Sequence, residues 1–355
     1  MTDLPPLVVQ AAPAFRTRHA NPYNATLYEH LAARGVRVEE LSVSRLALHP
    51  PDVVHVHWPE LTFLSGRRWW RTLWRMGTFG AALSVARLRR GTRLVWTVHN
   101  LHPHEASTSR LQSRLFWWLW PRMVDGVLTL TTSALDAVRA EHPSLRRVPA
   151  AVTPHGDYRA ELGRGITRQD ARAALGIEPG ARLLLFVGQV REYKNVPALV
   201  ESFSRLPGPD DRLVIAGQAK DAGVRAAVTA LAAEDPRVRL ELDFQEPARL
   251  SAWLSAADAV VLPYSDVLNS GTALLALSAD RPVIVPCLGA MPELRDTVGP
   301  EWVHTYEGPL DDALRDGLAW AVERPRPPSP DLTAHSWPTI ATVTEAAFRR
   351  LRRGR

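Results

Sequence analysis

The sequence has one cysteine, Cys287, in 355 residues. That excludes a disulfide framework within the chain and any site built from several cysteines. It has two lysines, Lys194 and Lys220, among 43 lysine and arginine residues. It has no uninterrupted apolar run near the ~20 residues that a bilayer-spanning helix needs. The start, Met1-Thr-Asp-Leu-Pro-Pro6, has no basic segment followed by an apolar run, so no secretory signal is expected. No Walker lysine pattern and no Gly-x-Gly-x-x-Gly is present. No helix-turn-helix, RNA-recognition or zinc pattern accompanies the basic residues, so nucleic acid is not an expected partner. These absences describe a cytoplasmic protein, soluble or peripheral on the inner face of the membrane.

What is present is globular. Hydrophobic residues make up 46% of the chain, which allows real cores, and the length suits two domains. Net charge is +6 and unevenly placed: residues 1–160 carry 20 arginines against 11 acids, a balance of +9. Eight of the 12 tryptophans lie at or before Trp120. They concentrate in Arg67-Arg-Trp-Trp-Arg-Thr-Leu-Trp-Arg75 and Phe116-Trp-Trp-Leu-Trp-Pro-Arg122. Arginine beside tryptophan suits an anionic membrane surface, where indole sits at the headgroups and the cation meets phosphate. The competing reading is a core helix with snorkelling arginines. Adjacent helical residues cannot share one face, so some of these indoles belong to the core.

Short apolar runs alternate with helical patterns. Strands are predicted at 7–10, 36–41, 53–57, 93–98, 126–130 and 148–153, then at 183–187, 213–216, 238–242, 259–262, 283–285 and 302–305. Helices are predicted between them, among them 24–34, 68–89, 109–120, 133–141, 196–205, 224–234, 247–256, 272–278, 292–298 and 310–323. Fully apolar strands alternating with helices predict parallel sheets covered on both faces. Two such runs predict an α/β protein of two doubly wound, Rossmann-like domains facing across a cleft. The join is expected near Asp157–Arg168. The proline-rich stretch 323–331 leads to a last helix at 339–353.

In a chain so biased to arginine, Lys194 marks a place where a compact ammonium does what a guanidinium cannot. It follows the apolar strand 183–187 and the turn at Gly188, at the mouth of a helix. Strand, glycine turn and helix start make a phosphate site, with Arg191 as a second cation. Asn269-Ser-Gly-Thr272 opens another helix. Ser270 and Thr272 are capping residues, and Gly271 allows close backbone approach. Its unpaired amides suit the same diphosphate. In the first half, His55-Val-His-Trp-Pro-Glu60 and Thr97-Val-His-Asn-Leu-His-Pro-His-Glu105 place imidazoles, an amide and carboxylates at two strand ends. Those groups suit a hydroxyl-rich ligand better than a metal, and Trp58 offers a flat face for a sugar ring.

With these motifs in order, the chain resembles a GT-B glycosyltransferase of the bacterial family 4-like group over nearly its whole length. Thr97-Val-His99 is similar to the family's acceptor-side histidine motif, and Pro154-His-Gly156 to its hinge-proximal loop. Gly188-Gln-Val-Arg-Glu-Tyr-Lys-Asn195 is similar to its diphosphate clamp. Leu262-Pro-Tyr264 and Arg281-Pro-Val-Ile-Val285 bracket the donor loop, and Ser336-Trp-Pro-Thr-Ile-Ala341 matches the start of the family's returning last helix. The resemblance implies an acceptor domain at 1–160, joined by a C-terminal helix at 336–355, and a donor domain at 161–335. It implies transfer of a hexose from a nucleotide sugar to a lipid-linked or saccharide hydroxyl, with GDP-mannose favoured over UDP- or GDP-glucose. The nucleotide sugar is a co-substrate, and no further cofactor or metal is expected. Gly188, Arg191, Lys194, Asp266, Asn269, Ser270, Gly271 and Thr272 are expected at the donor. His57, Trp58, Glu60, Asn100 and His104 are expected at the acceptor. His99, Arg191, Lys194 and a base are expected in catalysis, with Glu105 preferred over His104 and Glu60 as base. Two departures stand out. Gln189 occupies the family's usual arginine position, and Val267 and Leu275 replace its paired glutamates, leaving retention or inversion open. A nucleotide-sugar epimerase and a non-catalytic sugar-nucleotide-binding partner are the alternatives.

Overall fold

The computed structural model describes residues 6–18, 22–64, 68–101, 110–163 and 165–353. The chain divides into two compact units, one of Met1–Gly156 with Thr333–Arg355, the other of Asp157–Leu332. It crosses from one unit to the other twice.

The first unit holds a six-stranded parallel sheet: β1 (Val8–Ala12), β2 (Arg37–Glu40), β3 (Val53–Val56), β4 (Arg93–Val98), β5 (Gly126–Thr129) and β6 (Ala150–Val152). The spatial order is β2-β1-β3-β4-β5-β6. Every residue of β3 and β5 is buried, as strands covered on both faces must be. One face packs on the helix Trp69–Arg90, with Phe79, Trp96 and Trp120 deep in that core. The other face packs on the helix Tyr23–Ala33 and the last helix, Trp337–Arg353. The last helix is seated closely. A Cβ on Gly156 would overlap the Trp337 ring, and one on Gly126 would overlap Leu351.

The second unit holds β7 (Arg182–Val187), β8 (Asp211–Ala216), β9 (Val238–Glu241), β10 (Ala259–Val261), β11 (Val283–Pro286) and β12 (Val303–Tyr306), also all parallel. Their order is β12-β11-β10-β7-β8-β9, the strand order of a dinucleotide-binding doubly wound sheet. Leu183 through Val187 are all buried. A buried cation braces the sheet's entry. The Arg172 guanidinium donates to Asp258 Oδ2 at 2.9 Å and to the carbonyls of Ala256, Pro179 and Ala181 at 2.9–3.0 Å. The same Asp258 oxygen accepts the Leu183 amide at 2.7 Å.

The predicted strands all form, with ends shifted by a few residues. Helices at Val43–Leu48, Pro59–Phe63 and Arg168–Leu175 are additions that the apolar pattern did not predict. Each is short, with few apolar residues to set a period.

Candidate active site

Open α/β sheets bind ligands beyond the carboxyl ends of strands, at the point where strand order reverses. In the second unit that point lies between β7 and β10, and the predicted donor residues follow these two strands.

After β7 the chain turns at Gly188, whose φ of 110° is open to glycine alone. The next β-strand's glycine, Gly217, is pressed against it, since a Cβ there would overlap the Gly188 carbonyl. A short 3-10 turn, Glu192–Lys194, then carries Lys194 back over Gly188. A Cβ built on Gly188 would lie 3.4 Å from both Lys194 Nζ and Thr272 Oγ1. The ammonium and the hydroxyl are 3.4 Å apart. After β10, Tyr264 sits 5.3 Å from the ammonium by its ring centroid, and its hydroxyl meets Ser270 Oγ at 2.9 Å. Ser270 also caps the helix Gly271–Ser278 by accepting the Ala273 amide at 3.1 Å. Burial pushes the Tyr264 phenol up to about 12, so it stays protonated as a hydroxyl.

Lys194 is 8% exposed. Among the described residues its ammonium has no carboxylate partner and one hydrogen-bond partner, the Thr272 hydroxyl. Burial lowers its pKa, Tyr193 opposes that in part, and the nearby Arg191 lowers it by less. The contrast with Arg172 is instructive. Both are buried cations of one unit, but Arg172 is neutralised by Asp258 and several carbonyls, whereas Lys194 is left short of negative charge. A buried charge is costly unless paired. A diphosphate at Lys194 would supply the missing anion.

The rest of the donor set divides. Arg191 is half-buried, and its Nε and Nη2 donate to Gln189 Oε1 at 3.0 and 2.7 Å. Gln189, in the place of the usual arginine, thus orients the arginine that follows it. Asn269 is half-buried, while Asp266 is exposed and bonds to no described residue. Val267 and Leu275 pack against the core as partly buried apolar side chains. Gly289, at φ 53°, holds the loop, because a Cβ there would overlap the Val267 carbonyl.

In the first unit the strand order reverses between β1 and β3. His57 and Trp58 follow β3, and His99 and Asn100 follow β4. A hydrogen-bonded chain runs through the interior. Thr97 Oγ1 meets His55 Nε2 at 2.7 Å, and His55 Nδ1 meets the Tyr28 hydroxyl at 2.8 Å. The same hydroxyl meets His57 Nε2 at 2.6 Å, and His57 Nδ1 meets His99 Nε2 at 2.9 Å. Burial holds all three imidazoles well below their ordinary pKa, to about 3 for His55, so they are neutral near pH 7. Trp58 stacks on His99 with centroids 4.3 Å apart. Tyr23 packs its edge against His99 and tilts against His155.

This corrects one expectation. His57 is buried and both its ring nitrogens are engaged, so it supports His99 from behind and has no nitrogen left for an acceptor. His55 and Tyr28 join it in that supporting layer. His99, Trp58 and Asn100 remain half-buried and within reach of a ligand. Glu60, in the first turn of the helix Pro59–Phe63, is half-buried, and burial pushes its carboxyl up to about 7. The preferred base Glu105, and His104, lie outside the described residues. His155 has its Nδ1 on the Gly156 carbonyl at 2.8 Å, and its own carbonyl is 3.0 Å from His335 Nδ1, which ties the two chain crossings together.

The chain is similar to known proteins over most of its length. The family model "Glycosyl transferases group 1" matches residues 181–314, which span the donor residues. A GDP-mannose:glycolipid 4-beta-D-mannosyltransferase of Xanthomonas campestris pv. campestris is 34% identical over 331 residues, covering 92% of this chain and 87% of the relative. A D-inositol 3-phosphate glycosyltransferase of Mycobacterium marinum is 25% identical, covering 97% of this chain and 74% of the relative. Among solved structures, the sucrose-phosphate synthase of Thermosynechococcus elongatus has a TM-score of 0.70 at 18% identity, covering 98% of this chain and 99% of that one. WaaG, a glycosyltransferase involved in lipopolysaccharide biosynthesis, has a TM-score of 0.61 at 17% identity, covering 98% and 100%. The chain therefore belongs to the group 1 glycosyl transferases, has the GT-B fold, and is an enzyme that transfers a sugar from a nucleotide sugar.

Proposed function

We propose that the enzyme moves mannose from GDP-mannose to a hydroxyl of a lipid-linked saccharide, with inversion at the anomeric carbon. The observation that carries the donor side is Lys194, a buried ammonium beside the Thr272 hydroxyl and short of an anion. As the bond from C1 to the diphosphate oxygen breaks, its electron pair passes to that oxygen. Lys194, Arg191, the Thr272 hydroxyl and the start of the Gly271–Ser278 helix stabilise the charge. Two cations and a helix end do what a divalent metal does elsewhere, so the reaction runs without one.

Inversion is supported by two observations. The relative in Xanthomonas campestris is named for a β-mannoside made from GDP-mannose, whose own linkage is α. Here Val267 and Leu275 stand where the family's retaining members carry glutamates. An inverting reaction needs a base to take the acceptor hydroxyl's proton as its oxygen bonds to C1. Glu60, with a carboxyl pushed up to about 7, is suited to it. His99 holds a sugar oxygen. No helix among the described residues is long and apolar enough to cross a membrane. Access to a lipid-linked acceptor would come from docking of the arginine- and tryptophan-rich helices of the first unit on an anionic surface.

The test supplies GDP-mannose, GDP-glucose and UDP-glucose, each radiolabelled, to the full chain with a bacterial lipid extract. Label from GDP-mannose should enter the organic phase as a β-mannoside by NMR. Transfer from UDP-glucose alone would overturn the donor reading, and an α-product would overturn inversion.

A further inference from the structure

The helices Trp69–Arg90 and Arg110–Met123 of the first unit leave an apolar slot between them. Its volume is about 480 Å³, inside the roughly 300–1,000 Å³ typical of small-ligand sites. Met76 and Phe116 line it and are buried, while Trp69, Leu73, Leu111 and Leu115 line it and are exposed. Leu111 is 79% exposed and Trp69 61%, with Trp74 at 68% on the same helix as Trp69. The polar side chains on the wall are engaged, since Gln112 Nε2 donates to Thr72 Oγ1 at 2.6 Å. An exposed apolar patch of this kind on a soluble unit marks an interaction site.

Charge decides what fits it. Neither helix contains an aspartate or a glutamate. Arg68, Arg71, Arg75, Arg110 and Arg114 stand on or beside them without an ion pair to any described residue. Arg71 and Arg122 lie over Trp70 and Trp118, at 5.2 and 4.4 Å from the ring centroids. Among the described residues the pattern is an uncharged slot, indoles on the helices that form it and arginines on or beside them as a cationic rim, with no acid on either helix. A hydrocarbon chain fits the slot, and the phosphate at its head fits the rim.

We propose that this slot takes one hydrocarbon chain of a phosphate-bearing membrane lipid, the anchor of the acceptor. The proposal rests on the reading of the acceptor as lipid-linked. It differs from simple adsorption on a bilayer, because a slot of about 480 Å³ is filled by a chain of finite length.

The experiment titrates the full chain with hexyl, octyl, decyl and dodecyl phosphate below their micelle concentrations, with inorganic phosphate as the chainless control. Binding is read by calorimetry. The expected result is saturable binding at one site, tightening about fourfold per methylene until the slot is full, with no binding of inorganic phosphate. Leu115→Trp and Leu111→Trp each fill the slot from an exposed position, and should weaken dodecyl phosphate at least about tenfold with an unchanged melting temperature. Arg71→Ser with Arg75→Ser should flatten the salt dependence. Binding that ignores chain length, or that survives both filling variants, overturns the slot. So does a dimer in sedimentation that dodecyl phosphate does not dissociate, which would make a second copy the occupant. Saturable binding without mannose transfer to lipid overturns the acceptor reading and leaves the slot as a lipid site. Transfer to lipid with the same KM in both filling variants overturns the slot and leaves the acceptor reading intact.

Discussion

His57 Nδ1 lies 2.9 Å from His99 Nε2, and the other nitrogen of His57 lies 2.6 Å from the Tyr28 hydroxyl. A neutral imidazole has one donor and one acceptor, so this chain has a single direction throughout. If Thr97 donates to His55, each proton from Thr97 to His57 finds an acceptor: His55 donates to Tyr28, Tyr28 to His57, and His57 to His99. The reverse direction leaves the buried Thr97 hydroxyl with no acceptor among the described residues, at a cost of about 1–3 kcal/mol. The favoured direction leaves His99 with a proton on Nδ1. His99 then presents an N–H donor at Nδ1.

That assignment predicts nitrogen NMR spectra with His99 protonated on Nδ1 and bare on Nε2. His99→Phe should lower kcat about a hundredfold, the scale of one lost donor. The pH profile of kcat/KM should keep its shape. Loss of its neutral limb in this variant would make His99 the base.

Glu60 should supply that limb. Burial raises its carboxyl to about 7, and the base must be ionised, so kcat/KM should rise with pH around 7 and then level off. Glu60→Gln should remove the limb and cost about 10²–10⁴-fold. A full limb in Glu60→Gln would move the role to another carboxylate, with Glu105 next.

Lys194→Ala and Arg191→Ala should each cut turnover about ten- to a thousandfold. Stability should respond differently from an ordinary buried deletion. Lys194 is buried without a carboxylate, so its removal should leave the melting temperature unchanged or slightly higher. Arg172→Ala leaves Asp258 its ion pair with Arg168 but removes the donor from the carbonyls of Ala256, Pro179 and Ala181, and should cost about 1–3 kcal/mol. Equal melting losses in both would mean that Lys194 is structural.

Transfer should persist in excess EDTA, because the cations at the donor site are the protein's own. Activity lost to EDTA and restored by manganese or magnesium would overturn that reading.

The first unit should be acid-labile. His55 and His57 are buried and neutral, with pKa values held below the ordinary 6.5. The unfolded chain therefore binds more protons below about pH 6.5, and stability falls as pH drops through that window. Each imidazole contributes about 1.4 kcal/mol per pH unit there. Glu60, raised from 4.5 to about 7, works in the opposite direction and offsets at most one of them. Melting curves from pH 7.5 to 5 should fall, and less so in His55→Gln. A flat curve would show that these rings are charged in the fold.

The sequence displayed its strands because parallel strands covered on both faces are apolar throughout, as Leu183–Val187 are. The grouping of the expected donor residues Gly188, Lys194 and Thr272 was legible for a related reason. They sit immediately after strands, where the fold must place ligands, and Lys194 stood out against an arginine background. The helix Arg168–Leu175 went unread although Thr167 and Asp170 form its N-terminal cap, because its apolar residues are mostly alanine. The Tyr28 contact with two histidines was beyond reach, since it joins a helix to a strand 27 and 29 residues away. The raised Glu60 carboxyl was hidden as well, because burial is a property of the packed unit. The aromatic segments resolved as helix geometry requires. Trp120 is core and its near neighbour Trp118 is exposed.

The first unit is closed by Thr333–Arg355, so in topological terms the second unit is a guest spliced into a host. During synthesis the guest, Asp157–Leu332, leaves the ribosome whole before its host is complete. Until the last helix arrives, Gly156 has no Trp337 over it and the Tyr23–Ala33 helix has a bare flank. The host thus waits on the guest, and Thr333–Arg355 acts as the clasp that completes it. Exchange of donor units between relatives would need two cuts, at the Gly156–Asp157 and Leu332–Thr333 junctions, with the clasp left to its own host.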